Sequence, residues 1–248
     1  MTPIPVYVGY DPRESVAFHV CVSSILRNTS VPVAITPLSL NNLAPIYRES
    51  HTDGSNQFIY TRFLVPYLQQ FNGWAIYLDG DMVVRGDLAQ LWDERDDFSA
   101  VKVVKHDYKT KATTKYLGAR NEDYPRKNWS SVILWNCGHY GNRPLEPEVV
   151  MRRTGAELHR FTWLADERVG DLPLEWNWLE TEYDENPNAS LIHYTLGAPC
   201  FADYADTPQA RYWHQEARHA FSAIGEPPAA IARRAEELGE PRAAVSER

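Results

Sequence analysis

The sequence has few cysteines and a shortage of positive charge. Its three cysteines, Cys21, Cys137 and Cys200, stand far apart along 248 residues. Such spacing fits reduced thiols better than a disulfide framework or a zinc site. Lysine and arginine together number 25 against 33 acidic residues, which gives a formal net charge of -8. Binding to a nucleic-acid backbone needs a basic face, so this balance argues against a nucleic-acid-binding protein.

Long hydrophobic runs are also missing. No apolar stretch approaches the ~20 residues that a membrane-spanning helix needs. The first residues lead directly into a strand-like segment, without a basic and then apolar leader. We therefore predict a cytoplasmic protein without a transmembrane segment. Peripheral contact with a membrane through C-terminal helices stays open.

Segments typical of strands and helices alternate along the chain. The apolar patterns predict strands at 4–9, 31–35, 75–78, 98–104, 131–135, 172–174 and 191–193. They predict helices at 15–27, 41–47, 58–71, 87–92 and 147–161. This alternation indicates an α/β protein with a mostly parallel, three-layer α/β/α, Rossmann-like sheet. We place that domain at residues 1–205 and a helical tail at 206–248.

Two aspartates separated by a glycine end the apolar segment at 75–78. Asp79 and Asp81 would each lose hydration and repel the other, unless a cation or a hydrogen-bond donor lies between them. The carboxyl end of a sheet strand is where α/β folds bind ligands, so the pair indicates a divalent metal site. The alternative is an Asp-Gly turn that joins two strands of a hairpin.

Neighbouring segments extend this motif into a larger pattern. Tyr60-Thr61-Arg62-Phe63 lies in the predicted helix before it, and Gly86-Asp87-Leu88 and Leu91-Trp92 follow it. In these segments the chain resembles the retaining GT-A glycosyltransferases, specifically the glycogenin and bacterial lipopolysaccharide galactosyltransferase type (family 8-like). The resemblance extends through residues 4–205 and implies a GT-A fold.

The resemblance implies a metal site made by the aspartate pair and a histidine. Asp79 and Asp81 would hold Mn²⁺, with Mg²⁺ as an alternative, and through it the diphosphate of a nucleotide sugar. His193, which ends a strand-like segment just before a glycine-containing loop, would complete the ligand set. Carboxylates suit both cations, and an imidazole ligand favours Mn²⁺.

The resemblance also implies a donor site around the metal. Arg62 would contact the donor, and a divalent cation with an arginine would neutralise charge on a departing diphosphate. Asp11 would help to hold the nucleoside, although its position before Pro12 also suits a helix cap, and both roles are compatible. The implied donor-binding residues are Val8, Gly9, Tyr10, Asp11, Arg62, Asp79, Gly80, Ser131 and Gly197. The implied catalytic residues are Asp166, Glu167 and Arg62.

Several positions depart from the family pattern. Ser130 and Ser131 stand in a segment where the family has Ala and Gly, and Glu167 replaces a glutamine. The family's lysine after the histidine loop is missing, so the diphosphate would rely on Arg62 or on a lysine from 105–127. The basic segment 105–128 is either a solvated excursion or a mobile flap beside an anionic donor.

The implied activity is that of a retaining hexosyltransferase. It would move a sugar from a nucleotide-diphosphate sugar, expected to be a UDP-sugar, to a saccharide, lipid-linked or other hydroxyl acceptor. One alternative is a nucleotide-sugar or carbohydrate-binding protein without turnover. Another is a haloacid-dehalogenase-type phosphatase, because residues 79–83 fit its Asp-x-Asp-x-Thr/Val motif. In those phosphatases the motif follows the first strand, and their downstream lysine and acidic element are not found here.

Overall fold

Two β-sheets form the frame of the computed structural model, which describes residues 2–52 and 54–221. The strands are β1 Ile4–Gly9, β2 Val33–Leu38, β3 Trp74–Leu78, β4 Met82–Val84, β5 Val101–Val103, β6 Val132–Asn136, β7 Val169–Asp171, β8 Trp178–Leu179 and β9 Leu191–His193. The helices are α1 Ser15–Asn28, α2 Leu40–Leu43, α3 Val65–Leu68, α4 Leu88–Asp93, α5 Pro147–Arg152, α6 Gly155–His159 and α7 Ala210–Phe221.

The larger sheet has the strand order β2-β1-β3-β6-β5-β7. Its strands run parallel except for β6, which is antiparallel to both β3 and β5. The predicted α/β class and the mostly parallel sheet are therefore confirmed. The smaller sheet, in the order β4-β9-β8, was not predicted as a sheet. β9 agrees with the predicted strand at 191–193, but β4 and β8 have only three and two residues and show no readable periodicity.

Both faces of the larger sheet are buried. In β3, Ala75 and Tyr77 belong to one apolar cluster, whereas Ile76 and Leu78 belong to a second cluster on the opposite face. This follows from the two-residue period of a strand, and covered faces are typical of parallel sheets. A layer of packed side chains thus lies on each side of β3, in agreement with the predicted three-layer arrangement.

Three predicted helices are shorter than expected. The 41–47 segment forms only α2, Leu40–Leu43. The 58–71 segment forms a 3-10 turn at Thr61–Leu64 and then α3, and positive φ angles at Gln70 and Phe71 end it. The 147–161 segment divides into α5 and α6, because Thr154 adopts an extended conformation and caps α6 in a box with Glu157.

The predicted strand at 172–174 is wrong. The strand in this part of the chain is β7, which ends at Asp171, and a 3-10 turn at Leu174–Asn177 follows Pro173. β7 contains Gly170 and Asp171, which are weak strand formers, so its extended state depends on parallel pairing with β5.

The last described helix, α7, packs against α1. Trp213 is fully buried in a third apolar cluster with Ala17 and Val20 of α1 and Ile192 of β9. The remainder of the predicted helical tail, residues 222–248, lies outside the described residues. Within the described part of the chain, no helix combines the length and the apolar character needed to cross a membrane.

Candidate metal and donor site

Asp79, Asp81 and His193 meet at one end of the two sheets. Asp79 directly follows β3, and Asp81 directly precedes β4. Because β4 pairs antiparallel with β9, Met82 lies opposite His193, and this register brings the imidazole to the aspartates. The His193 Nε2 atom lies 3.4 Å from Asp81 Oδ1 and 4.0 Å from Asp79 Oδ2. One potential ligand atom from each residue lies within 4.8 Å of the other two.

The donor atoms of this triad suit a divalent cation. All three side chains are buried, and Asp81 Oδ1 has no hydrogen-bond partner among the described residues. The 3.4 Å approach of His193 Nε2 does not have hydrogen-bond geometry, so this contact leaves the oxygen unsatisfied. A buried carboxylate oxygen without a partner is costly, and a cation would satisfy it. Two carboxylates and an imidazole fit Mn²⁺ or Mg²⁺.

An asparagine sets the orientation of His193. Asn177 Oδ1 lies 3.0 Å from His193 Nδ1, and the Asn177 amide nitrogen donates to Ser131 Oγ and to the Asn128 carbonyl. With its nitrogen committed to two acceptors, the amide presents its oxygen to the ring, so Nδ1 carries the proton. The Nε2 lone pair therefore faces the aspartates, as a metal ligand requires. Sequence reasoning did not assign this role to Asn177.

Arg62 holds the other aspartate. Its guanidinium lies 2.9 Å from Asp79 Oδ1 and 3.2 Å from Oδ2, and it also donates to the Ser130 carbonyl at 2.8 Å. The Tyr77 hydroxyl donates to Asp79 Oδ1 at 2.6 Å. Burial raises the pKa of Asp79 above its ordinary value, and Arg62 offsets only part of this rise. Burial also raises the pKa of Asp81, but its polar surroundings, His193 first and then Lys115, together lower the pKa overall.

The end of β1 touches the loop between the two aspartates. A Cβ atom on Gly80 would lie 2.4 Å from the Gly9 carbonyl oxygen, so only glycine fits at position 80. A Cβ on Gly9 would in turn meet the Phe58 ring at 2.6 Å. The first strand and the aspartate loop are thus joined through their backbones.

Asp11 is fully engaged by protein groups. Its Oδ1 accepts from the Arg13 backbone amide, and its Oδ2 accepts from the Arg13 side chain at 2.6 Å and from the Gln57 amide at 3.0 Å. It caps the 3-10 turn at Pro12–Glu14, which confirms the cap interpretation. Burial raises the pKa of Asp11, but Arg13 outweighs this effect and the net pKa is lowered. A nucleoside contact by Asp11 stays a prediction.

The predicted site residues do not all reach the same cavity. Arg62, Asp79, Asp81, Ser131 and His193 line a small cavity of about 60 Å³ at the triad. Val8, Gly9, Tyr10, Gly80 and Gly197 are outside its described lining, and Val8 is fully buried in the core. Contacts of these residues with a donor stay predictions.

Asp166 and Glu167 lie away from the triad. Both are exposed on a 3-10 turn, and neither is among the described residues that line the triad cavity. The Asp166 side chain is 81% exposed and pairs with Arg126 at 2.6 Å. The structure does not bring these acids to the metal ligands, and their catalytic role stays a prediction.

A lysine from the basic segment reaches the triad cavity. Lys115 lines it, and the Lys115 amide donates to the Ala119 carbonyl in a tight turn. The next residue anchors this turn, because the Tyr116 amide donates to the Leu196 carbonyl at 2.7 Å and the Tyr116 hydroxyl donates to Glu14 at 2.8 Å. Burial lowers the pKa of Lys115, and the two aspartates oppose this shift. At Lys115 and Tyr116, the 105–128 segment therefore packs beside the site and is not a solvated excursion.

A sequence relative identifies the family. No protein-family model matches the chain. Protein CDI of Arabidopsis thaliana is 44% identical over 222 residues, which cover 86% of this chain and 86% of the relative. The chain belongs to the family of Protein CDI.

Solved structures similar to this CDI-family chain are glycosyltransferases. LgtC, a galactosyltransferase solved with donor and acceptor sugar analogs, has a TM-score of 0.56 at 14% identity, over 93% of this chain and all of LgtC. GlyE of Streptococcus pneumoniae TIGR4 has a TM-score of 0.60 at 13% identity, over 96% of this chain and 64% of GlyE. The bifunctional WbbM has a TM-score of 0.58 at 15% identity, over 87% of this chain but about half, 52%, of WbbM. These likenesses establish the GT-A fold.

Proposed function

We propose that this CDI-family protein is a metal-dependent glycosyltransferase. It would transfer a hexose from a UDP-sugar to a hydroxyl acceptor with retention at the anomeric carbon, and Mn²⁺ or Mg²⁺ would bind to Asp79, Asp81 and His193. The observation that carries the proposal is this buried triad at the strand ends of a GT-A fold, with an unpartnered carboxylate oxygen on Asp81. The glycosyltransferase names of the similar solved structures support the same activity class.

The reaction makes a diphosphate leaving group, whose growing negative charge must be stabilised. A bound divalent cation supplies most of that stabilisation. Arg62 holds Asp79 in place with both guanidinium nitrogens, and Asn177 keeps the proton of His193 on Nδ1. Lys115, which also lines the cavity, adds a positive charge. It would take the place of the lysine that is missing after the histidine loop.

Retention requires that the acceptor attacks from the face that the leaving group vacates. Asp166 and Glu167 are the proposed sugar-facing acids, which would position the sugar or stabilise positive charge on it, as carboxylates do in glycosidases. Because both are exposed, they would act on a sugar that extends out of the triad cavity.

Nucleotide release from a panel of nucleotide sugars tests the proposal. With Mn²⁺ present, we expect release of UDP that is lost in Asp81→Asn and retained in Asp97→Asn, a matched change at an exposed position. Circular dichroism of both variants controls for folding. Donor binding without release would instead indicate a binding protein, and release of phosphate from a phosphomonoester would contradict the proposal.

A further inference from the structure

A second and much larger cavity opens beside the triad. Its volume is about 650 Å³, within the range of pockets that bind small molecules. Lys115, Tyr124 and His159 line both this cavity and the triad cavity, so the two adjoin. Tyr124 is 41% exposed and presents an aromatic ring at the junction, a surface suited to the face of a sugar.

The described walls of the larger cavity are basic. They carry one acid, Glu122, and the cations Lys115, Arg120, Lys127 and Arg160. Arg120 pairs with Glu122 at 2.7 Å, and Lys127 Nζ donates to Asn121 Oδ1 at 2.6 Å. These contacts occupy two of the cations. The two other cations are Lys115, which also lines the triad cavity, and Arg160, which lines the larger cavity.

Arg160 has no acceptor for its guanidinium among the described residues, and its Nε atom is buried without a hydrogen bond. Its backbone is fixed directly after α6, where the Arg160 carbonyl accepts from the Arg126 side chain at 2.7 Å. The adjacent His159 is held through Nδ1 by Ser130 Oγ at 2.6 Å, and its Nε2 is also buried and unbonded. A buried N–H group without an acceptor costs about 1–3 kcal/mol, so the Nε–H group of Arg160 indicates that a ligand completes the site.

We propose that the larger cavity is the acceptor subsite, and that Arg160 binds a carboxylate or phosphate group carried by the acceptor. The planar guanidinium fork matches the two oxygens of such a group. The inference rests on the proposed function, because the larger cavity adjoins the triad at which the donor would be held, and an acceptor hydroxyl bound there would lie beside the sugar. The enzyme would thus select acidic hydroxyl acceptors over neutral ones.

Binding to protein that is already loaded with UDP and Mn²⁺ tests the inference, since the nucleotide then covers the triad. The calorimetric probes are methyl β-D-glucuronide and glucose 6-phosphate, with methyl β-D-glucoside as the neutral control. We expect at least one acidic probe to bind about tenfold or more tightly than the neutral one. The acidic probe with the higher affinity identifies the group that Arg160 recognises.

Three variants attribute the preference to Arg160. Arg160→Met should abolish it, and Arg160→Lys should retain part of it, because the charge remains without the fork. Arg152→Met, an equal change of charge on exposed α5, should retain it fully. Equal binding of acidic and neutral probes, no binding of either acidic probe, or an unchanged preference in Arg160→Met would overturn the inference while leaving the donor proposal intact. A failure of UDP to bind would overturn both.

Discussion

At the scale of single residues, the uncharged Asn177 sets which nitrogen of His193 faces the candidate metal site. Replacing it with leucine removes the acceptor that keeps the proton on His193 Nδ1. We expect the affinity for Mn²⁺ to fall by about 10- to 100-fold, as measured by calorimetric titration. Asn177→Asp keeps an acceptor oxygen and should keep most of the affinity.

The matched control for this prediction is Asn72→Leu, because Asn72 is exposed and is not among the described residues that line the triad cavity. If Asn177→Leu bound Mn²⁺ as tightly as the unaltered protein, the assigned tautomer of His193 would be wrong. A loss in Asn177→Asp equal to that in Asn177→Leu would show that the two donor bonds of the amide, and not its oxygen, support the site.

His106 makes the folded state sensitive to acid. Burial lowers its pKa from about 6.5 to about 3, so the folded protein keeps the ring neutral while the unfolded chain takes up a proton below pH 6.5. Stability is therefore lost as the pH falls from 6.5 towards 3. This residue should remove about 2 kcal/mol of unfolding free energy between pH 7.5 and pH 5.

Urea unfolding at these two pH values measures the effect. His106→Gln keeps a polar partner for the Tyr183 hydroxyl, which lies 2.8 Å from His106 Nδ1, and it does not titrate in this range. Its loss of stability on acidification should be smaller than that of the unaltered protein by the same ~2 kcal/mol. Parallel pH profiles of the two proteins would contradict the assignment.

The sequence predicted the site residues that lie close to one another along the chain. Asp79 and Asp81 follow one strand, and Arg62 lies in the segment that precedes it. The sequence indicated only that a lysine from the segment 105–127 could reach the diphosphate, and it did not identify Lys115. The position of Lys115 depends on the contact between Tyr116 and Leu196, which are 80 residues apart. The role of Asn177 in orienting His193 was not predicted either, because it depends on the contact of Asn177 with β9.

At the scale of elements, the boundary between α5 and α6 rests on a capping box. Thr154 Oγ1 accepts from the Glu157 amide at 3.2 Å, and the Glu157 carboxylate accepts from the Thr154 amide at 2.9 Å. Thr154→Ala should lower the unfolding free energy by about 1 kcal/mol, and Thr154→Ser should restore most of it. Thermal or urea unfolding measures both changes.

Thr113→Ala is the control for the cap, because Thr113 is exposed and outside any helix. It should change stability by less than about 0.5 kcal/mol. An equal loss in both alanine variants would contradict the capping contribution. The Thr-x-x-Glu pattern is readable in the sequence, but the prediction of one helix across 147–161 did not use it.

Elements were predictable where they were long or regular. β1 was predicted with the bounds that the structure has, and α1 differs only by one residue at its end. β9 was also predicted with its observed bounds, whereas β4 and β8 have too few residues to show a period of their own. Their place in the smaller sheet depends on pairing with β9. The antiparallel direction of β6 also cannot be read locally, because it depends on how the preceding connection crosses the sheet.

At the scale of the whole molecule, ligands that bind only the folded state should raise its melting temperature. Mn²⁺ with UDP at 100 times the dissociation constant should stabilise the fold by about 2.7 kcal/mol. For a chain of this size that corresponds to a rise of roughly 5–10 °C in the thermal midpoint. Differential scanning calorimetry with UDP, in Mn²⁺ or in EDTA, measures the shift.

Asp81→Asn should remove the Mn²⁺-dependent part of this shift, and Asp97→Asn should retain it. An equal rise in melting temperature for Asp81→Asn would place the metal elsewhere in the protein. A rise with UDP that is the same in EDTA would contradict a metal bridge between the triad and the diphosphate.

The close approach of Gly80 to the Gly9 carbonyl has a consequence for protein engineering. The metal loop and the end of the first strand share a backbone contact that no side chain can fill. If the aspartate motif alone were transferred to another scaffold, it would lose the end of the first strand against which Gly80 packs. The smallest unit that carries the spacing of this loop is therefore the pair of parallel strands β1 and β3 with both of their carboxyl-terminal loops, to which β9 adds His193.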